Sequence, residues 1–210
     1  MREGEHMTVY ARREREQSVR RELIIETARR FFETKGFERT TVEEIAEKAE
    51  LGKGTIYSYF QSKEQIYIAI LEQDLTVLIE QIEQVSKNPN SAIETLQKMY
   101  DVYIRYHLER KGFVEGLFVQ INQQQLFQFS ELIAGLKRRA SVLTDSIAKV
   151  LRLGIAQGEF KVIDVDQTAQ ILIGVILGLI IHFEIGQTHS TLEDYKKPVF
   201  KMILDGIRRF

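Results

Sequence analysis

The chain has 210 residues, 44% of them hydrophobic, which is enough for one large core or two modest ones, and no cysteine, which excludes disulfides, thiolate metal sites and a thiol nucleophile. Two prolines in a chain dense in Glu, Leu, Ile, Gln, Lys and Arg favour helices over a sandwich or barrel, so the expected fold class is all-α. The net charge is −1, with 13 basic against 12 acidic residues in the first 63, so indiscriminate coating of nucleic acid is excluded and any such site must come from local arrangement.

The opening residues "MREGEHMTVY" have no apolar core or small-residue cleavage site, so they are read as an N-terminal arm (1–20) and not as a secretory signal. The arm runs into "ARREREQSVRRE", for which contact with DNA is one reading, but whose interleaved glutamates favour a solvated helix laced by i,i+4 ion pairs. Ile24, Ala28, Phe31 and Phe32 then share one helical face, and Gly36 stops that helix. Thr41-Val-Glu-Glu44 is a capping box opening a short helix that buries Ile45, Ala46 and Ala49. After a break at Glu50 to Gly52, a second short helix runs from Lys53 to about Phe60 with Ile56 and Phe60 inward.

Ser62-Lys-Glu-Gln65 caps a long helix from Ile66 through Val85, ended near Asn88-Pro89. Ile93, Leu96, Tyr100, Tyr103 and His107 mark the next helix, and a less regular stretch covers Phe113 to Phe129. Leu132 to Gln157 is helical and stopped by Gly158. Asp164 caps an apolar helix reaching about Ile185, and Thr191-Leu-Glu-Asp194 opens the last. The longest uncharged apolar run, Ile171 to Ile181, is about half a bilayer span, so no membrane partner is expected.

Two short helices three residues apart, each buried on one side, have the form of a helix-turn-helix, whose second helix fits the major groove of double-stranded DNA. In that reading Lys53, Thr55, Tyr57 and Ser58 face the groove, where lysine reaches guanine acceptors, hydroxyls meet bases or phosphates, and tyrosine lies against a thymine methyl. Gly54 lets the backbone approach closely, while Tyr59, Lys63 and the amide and hydroxyl of Thr41 contact phosphates. On spacing alone, an ordinary packing corner of an all-α protein remains the competing reading.

The run "TTVEEIAEKAELGKGTIYSYFQSKEQIY" (40–67), with "ARRFFETKGFERT" before it, resembles the DNA-binding signature of the TetR (tetracycline-repressor) family of bacterial transcriptional regulators. The resemblance is specific over about 21–71. It implies that Thr55, Tyr57, Tyr59 and Lys63 are contact residues and that Ile56 and Phe60 are buried anchors. One departure stands in the turn, where the family's Ala-Gly-Val-Ser is replaced by Ala49-Glu-Leu-Gly52, putting a glutamate at a left-handed position.

The resemblance also implies a division into a helix-turn-helix DNA-binding domain (21–63) and a helical ligand-binding and dimerisation domain (64–210). The implied function is that of a sequence-specific regulator, a homodimeric repressor released from a palindromic operator by a small effector, and the implied location is cytoplasmic. Its two reading helices must sit about one DNA turn apart, roughly 34 Å, so a small hinge motion carried by the helix from Glu64 to Ser86 abolishes binding.

For the dimer interface the candidates are Gly174, Leu177, Gly178 and Ile181 on the apolar helix and Phe200 and Ile203 on the last, with burial inside one subunit the rival for the glycines. For an apolar or aromatic effector the candidates are Tyr100, Tyr103, Phe118 and Phe127, with His107 and Asn122 as polar anchors, against plain core packing. No catalytic residues, metal site or cofactor are expected, because the four histidines lack ligand spacing and no nucleophile elbow, phosphate loop or His-Glu-x-x-His is present. The alternative is a helical ligand-binding or adaptor module with no DNA function.

Overall fold

The computed structural model describes residues 2–87, 89–109, 130–185 and 191–209. They form α1 (Arg2–Lys35), α2 (Val42–Lys48), α3 (Lys53–Tyr59), α4 (Lys63–Ser86), α5 (Ala92–Glu109), α6 (Ser130–Ala156), α7 (Val165–Ile185) and α8 (Leu192–Ile207). The fold is all-helical, with one isolated bridge between Phe160 and Arg208 and no strand among the described residues. The chain divides into two compact units, 1–71 and 72–210, with the division inside α4.

In the first unit α1 is one continuous helix, so the segment read as an arm is its N-terminal part. Gly36, at φ +84°, ends it in the left-handed region that glycine enters without a Cβ penalty. Thr41 caps α2 as its sequence predicts: the Glu44 N–H donates to Thr41 Oγ1 at 3.2 Å and the Thr41 N–H donates to Glu44 Oε2 at 2.9 Å. Lys35 pairs with the same carboxylate. The Lys35 ammonium, then the Thr41 amide and hydroxyl, hold the Glu44 carboxyl down at about 2.

Packing fixes the pair of short helices. Ile24, Ile25, Ala28 and Phe32 of α1, Ile45 and Ala46 of α2, Ile56 of α3 and the following Phe60 are all buried. Phe32, Phe37 and Tyr67 close this core as an aromatic triangle with centroids 5.1 to 5.7 Å apart. Ile56 is wholly buried, so Ile56→Ala costs roughly 2–5 kcal/mol and releases α3 from its seat.

In the second unit α5 packs on α6 and α8, and α7 packs on α6 and α8. Gly158, at φ +74°, ends the α6 helix as expected. The loop after it lays Phe160 into the core and ties to the C-terminus through Lys161 N–H to Ile207 O at 2.9 Å and Arg209 N–H to Glu159 O at 3.0 Å. Thr191 and Asp194 make the reciprocal cap that opens α8. No described helix is long and apolar enough to cross a membrane.

Candidate nucleic-acid interface and cavity

The turn between α2 and α3 takes the strained form its sequence implies. Glu50 sits at φ 55°, Glu50 N–H donates to Glu47 O at 3.1 Å, and Leu51 N–H donates to Ala46 O at 2.9 Å. Those two bonds are the pair of a Schellman C-cap, whose left-handed residue is most often glycine. Here the cap is complete with a glutamate in that place, so the geometry is kept at the cost of local strain. Gly52 then opens α3 from an extended conformation without a side-chain cap.

α3 separates its faces cleanly. Ile56 and Phe60 point into the core, while Lys53, Gly54, Tyr57 and Ser58 are exposed and Thr55 is half-buried. A Cβ at Gly54 would meet nothing within 4 Å, so its surface is open to close approach. Lys53 pairs with Glu43 across the turn and lies over the Tyr57 ring at 5.8 Å. The Glu43 carboxylate raises the Lys53 pKa, so the lysine is a full cation at neutral pH but one with a carboxylate partner to exchange. The Ser58 hydroxyl donates to Thr55 O at 2.7 Å and keeps its lone pairs for an incoming donor.

Two residues expected at phosphates have neighbours within the protomer. Lys63 Nζ donates to the carbonyls of Phe37 at 2.8 Å and Thr40 at 2.9 Å, so it pins the loop between α1 and α2. Tyr59 is half-buried and lines a cleft of about 290 Å3 with Arg13, Glu16, Gln17 and Arg20 of α1. For this stretch of α1 the sequence offers DNA contact only as the less favoured of two readings. The available signal was the i, i+4, i+7 spacing of Arg13, Gln17 and Arg20, which sets them on one helical face.

In the second unit a small cavity of about 30 Å3 is lined by apolar and aromatic side chains, among them Tyr100, Tyr103, Leu143, Ile176, Phe200 and Ile203. The Tyr100 ring stacks on Phe200 at 5.4 Å, and its buried hydroxyl has no hydrogen-bond partner among the described residues. Burial, then the Asp101 and Glu193 charges, push the Tyr100 pKa up to about 12. Burial also raises that of Tyr103. His107 is buried between the rings of Tyr103 and Tyr106 and is not among the side chains lining the cavity. Phe118, Asn122 and Phe127 lie outside the described residues.

The dimer candidates separate into two groups. Gly174, Leu177 and Gly178 are exposed on one face of α7 together with Ile171, which is 62% exposed. Phe200 and Ile203 instead are buried in the protomer's own core and line the cavity. The last helix is amphipathic, and the side it exposes carries Tyr195 and Met202. The Ile181 side chain lies outside the described residues. Among the described residues no group of three acidic or histidine side chains is placed to hold a metal ion.

With this geometry in place, residues 24–70 match the family profile described as "Bacterial regulatory proteins, tetR family". The HTH-type transcriptional regulator SAS2464 of Staphylococcus aureus (strain MSSA476) is 21% identical over 192 residues, covering 90% of this chain and 95% of that one. Among solved structures, the transcriptional regulator FadR from Bacillus subtilis in complex with stearoyl-CoA shares the fold with a TM-score of 0.73, 24% identity, and coverage of 89% of this chain and 98% of that one. A putative transcriptional regulator from Saccharomonospora viridis in complex with choline does so with a TM-score of 0.74, 21% identity, and coverage of 92% and 100%. Residues 24–70 therefore carry the helix-turn-helix DNA-binding domain of the TetR family of bacterial regulatory proteins, and the chain is similar to a helix-turn-helix transcriptional regulator over 90% of its length.

Proposed function

We propose that the protein is a homodimeric repressor that grips a palindromic operator and lets go when a small, largely apolar molecule fills the cavity of the second unit. The observation that carries the DNA half is the division of α3 into a buried anchor side, Ile56 and Phe60, and an exposed polar side, Lys53, Tyr57 and Ser58. Residues 21–63 then read DNA, residues 64–210 hold the effector and the second copy, and α4 carries the signal because the division between the two compact units, after Leu71, falls inside it. A cytoplasmic location follows from that role.

The effector's character rests on the cavity. Every lining side chain is apolar or aromatic and none is a carboxylate, which suits an acyl chain or an aromatic body better than a small cation. The stearoyl-CoA and choline found in two structures of similar fold mark the two extremes, and the lining favours the first. Tyr100 is protonated at neutral pH and buried without a partner among the described residues, so an effector carrying one hydrogen-bond acceptor gains a bond there. At about 30 Å3 the cavity holds a water or two, so such a molecule must part the lining helices. A ligand that fits only an opened state shifts the protein toward that state, and loss of DNA follows if the opened state spaces the reading helices wrongly.

The second copy is best seated on the exposed α7 face of Ile171, Gly174, Leu177 and Gly178, where the glycines admit close backbone approach. The test is selection from randomised duplex DNA at two salt concentrations, repeated with graded fatty acyl compounds and with choline. An enriched inverted repeat that is released by acyl compounds and not by choline is the expected result. No enrichment at low salt would leave a helical ligand-binding module as the better reading.

A further inference from the structure

We infer that α1 is a second DNA-contacting element, in which Arg13 and Arg20 hold the phosphate backbone beside the bases read by α3. This rests on the DNA-binding reading above. Between Arg12 and Arg21 the chain carries five arginines and two glutamates, a local excess that the near-neutral total conceals. All ten of these residues but Arg21 are exposed.

The arginines are not equivalent. Arg12 pairs with Glu16 at 3.0 Å, Arg21 lies over the Phe60 ring at 5.2 Å, and Arg29 and Arg30 pair with Glu26. Arg13 and Arg20 have no ion-pair partner among the described residues, and they flank the cleft that Tyr59 of α3 closes. Glu16, the one carboxylate lining that cleft, is already compensated by Arg12. The cleft therefore combines two uncommitted guanidinium groups, the Gln17 amide and a tyrosine of the recognition helix.

This set is suited to phosphate. Guanidinium forks match phosphate oxygens in two-point geometry, and amide and tyrosine groups supply the neutral donors commonly found at the DNA backbone. Seven residues of helix separate Arg13 from Arg20 by roughly 10 Å, so they reach separate phosphates and not the same one. Continuity with α3 fixes the partner's class, because a duplex seated on Lys53, Tyr57 and Ser58 meets the end of α3 where Tyr59 adjoins α1. No base edge need be touched, so the contact adds affinity and salt dependence without adding sequence preference.

The experiment compares the full chain with Arg13→Ala/Arg20→Ala and Arg13→Lys/Arg20→Lys on the selected duplex over a salt series, with helix content checked by circular dichroism. Each lost phosphate contact lowers the salt slope by about 0.9. For two contacts in each of two copies, the alanine variant is expected to bind at least tenfold more weakly with the slope reduced by about two to four. Its base preference stays unchanged, and the lysine variant recovers most of the slope. An unchanged slope in the alanine variant, or a changed base preference, overturns this inference while DNA binding by α3 stands. Failure of the unaltered chain to bind any selected duplex overturns both.

Discussion

Lys63 Nζ donates to the carbonyl oxygen of Phe37 at 2.8 Å and lies 4.2 Å from the centroid of the same residue's ring. A lysine 26 residues downstream thereby closes the loop between α1 and α2, with Thr40 O as a further acceptor at 2.9 Å. A hydrogen bond from a charged donor is worth about 1.5–3 kcal/mol where buried, and this group is only half-buried. Lys63→Ala is therefore expected to destabilise the protein by about 1–2 kcal/mol, measured by urea unfolding. Its salt slope of DNA binding should stay unchanged. A reduced slope at unchanged stability would return Lys63 to the phosphate-contact role expected from the sequence.

Glu50 gives a prediction of opposite sign. Its φ of 55° strains a residue with a Cβ by roughly 1–2 kcal/mol, whereas the extra freedom of an unfolded glycine offsets about 0.4–1 kcal/mol of any relief. Strain wins, so Glu50→Gly is expected to stabilise the protein by about 0.5–1 kcal/mol. It also removes a negative charge beside the recognition helix, so DNA affinity should rise. Glu50→Gln separates the two effects, because glutamine removes the charge and keeps the strain of a long side chain in the left-handed region.

The features legible in the sequence are those decided within a few residues. The Thr41 and Thr191 caps, the stops at Gly36 and Gly158 and the strained turn at Glu50 each depend on a local pattern that tertiary packing left intact. Features set across the chain were not legible. Nothing near Lys63 announces that its partners are at Phe37 and Thr40. Phe200 and Ile203 fit a dimer face as well as a core face in the sequence, and only the packing of α8 against α5 shows that they are buried within the protomer. The alternating charges of α1 read as a solvated helix because the sequence does not reveal that Tyr59 stands beside Arg13 and Arg20.

Gly154 illustrates the same distance effect in a stability prediction. In a helix interior, Gly→Ala ordinarily gains about 1 kcal/mol. A Cβ on Gly154 would stand 2.1 Å from Phe160 Cδ2 and 2.9 Å from Ala92 Cβ, and Phe160 is almost wholly buried. Overpacking of that kind costs roughly 1–3 kcal/mol, so the steric term outweighs the propensity term. Gly154→Ala should lower the unfolding midpoint, and a variant as stable as the unaltered chain would show that Phe160 is free to move aside.

The neighbouring Glu159 makes stability depend on pH. Desolvation pushes its pKa up, but the Ile93 amide, the Ser91 hydroxyl and the Ala92 amide, all donating to its carboxylate, together bring it below the ordinary value of 4.5. A depressed folded pKa means that the stabilisation is fully present above about 4.5 and is lost as pH falls through the folded value. Unfolding free energy should therefore decline in acid below about pH 4.5. Glu159→Gln, which caps the start of α5 more weakly, should be less stable at pH 7 and should show a shallower decline. Parallel curves for the two proteins would mean that other carboxylates carry the acid sensitivity.

Tyr100 separates stability from response to the effector. Its hydroxyl is buried in an apolar cavity without a partner among the described residues, so Tyr100→Phe removes a desolvated polar group and keeps the ring that stacks on Phe200. An unpaired buried hydroxyl costs roughly 1–3 kcal/mol, and the phenylalanine variant should be as stable as the unaltered chain or more so. If the effector takes a hydrogen bond from this hydroxyl, the same substitution weakens effector binding about five- to tenfold, with operator affinity unchanged in its absence. Calorimetric titration together with thermal unfolding reads both quantities on one sample. A stabilised variant with undiminished effector binding would mean that recognition in this cavity is by shape and apolar surface alone.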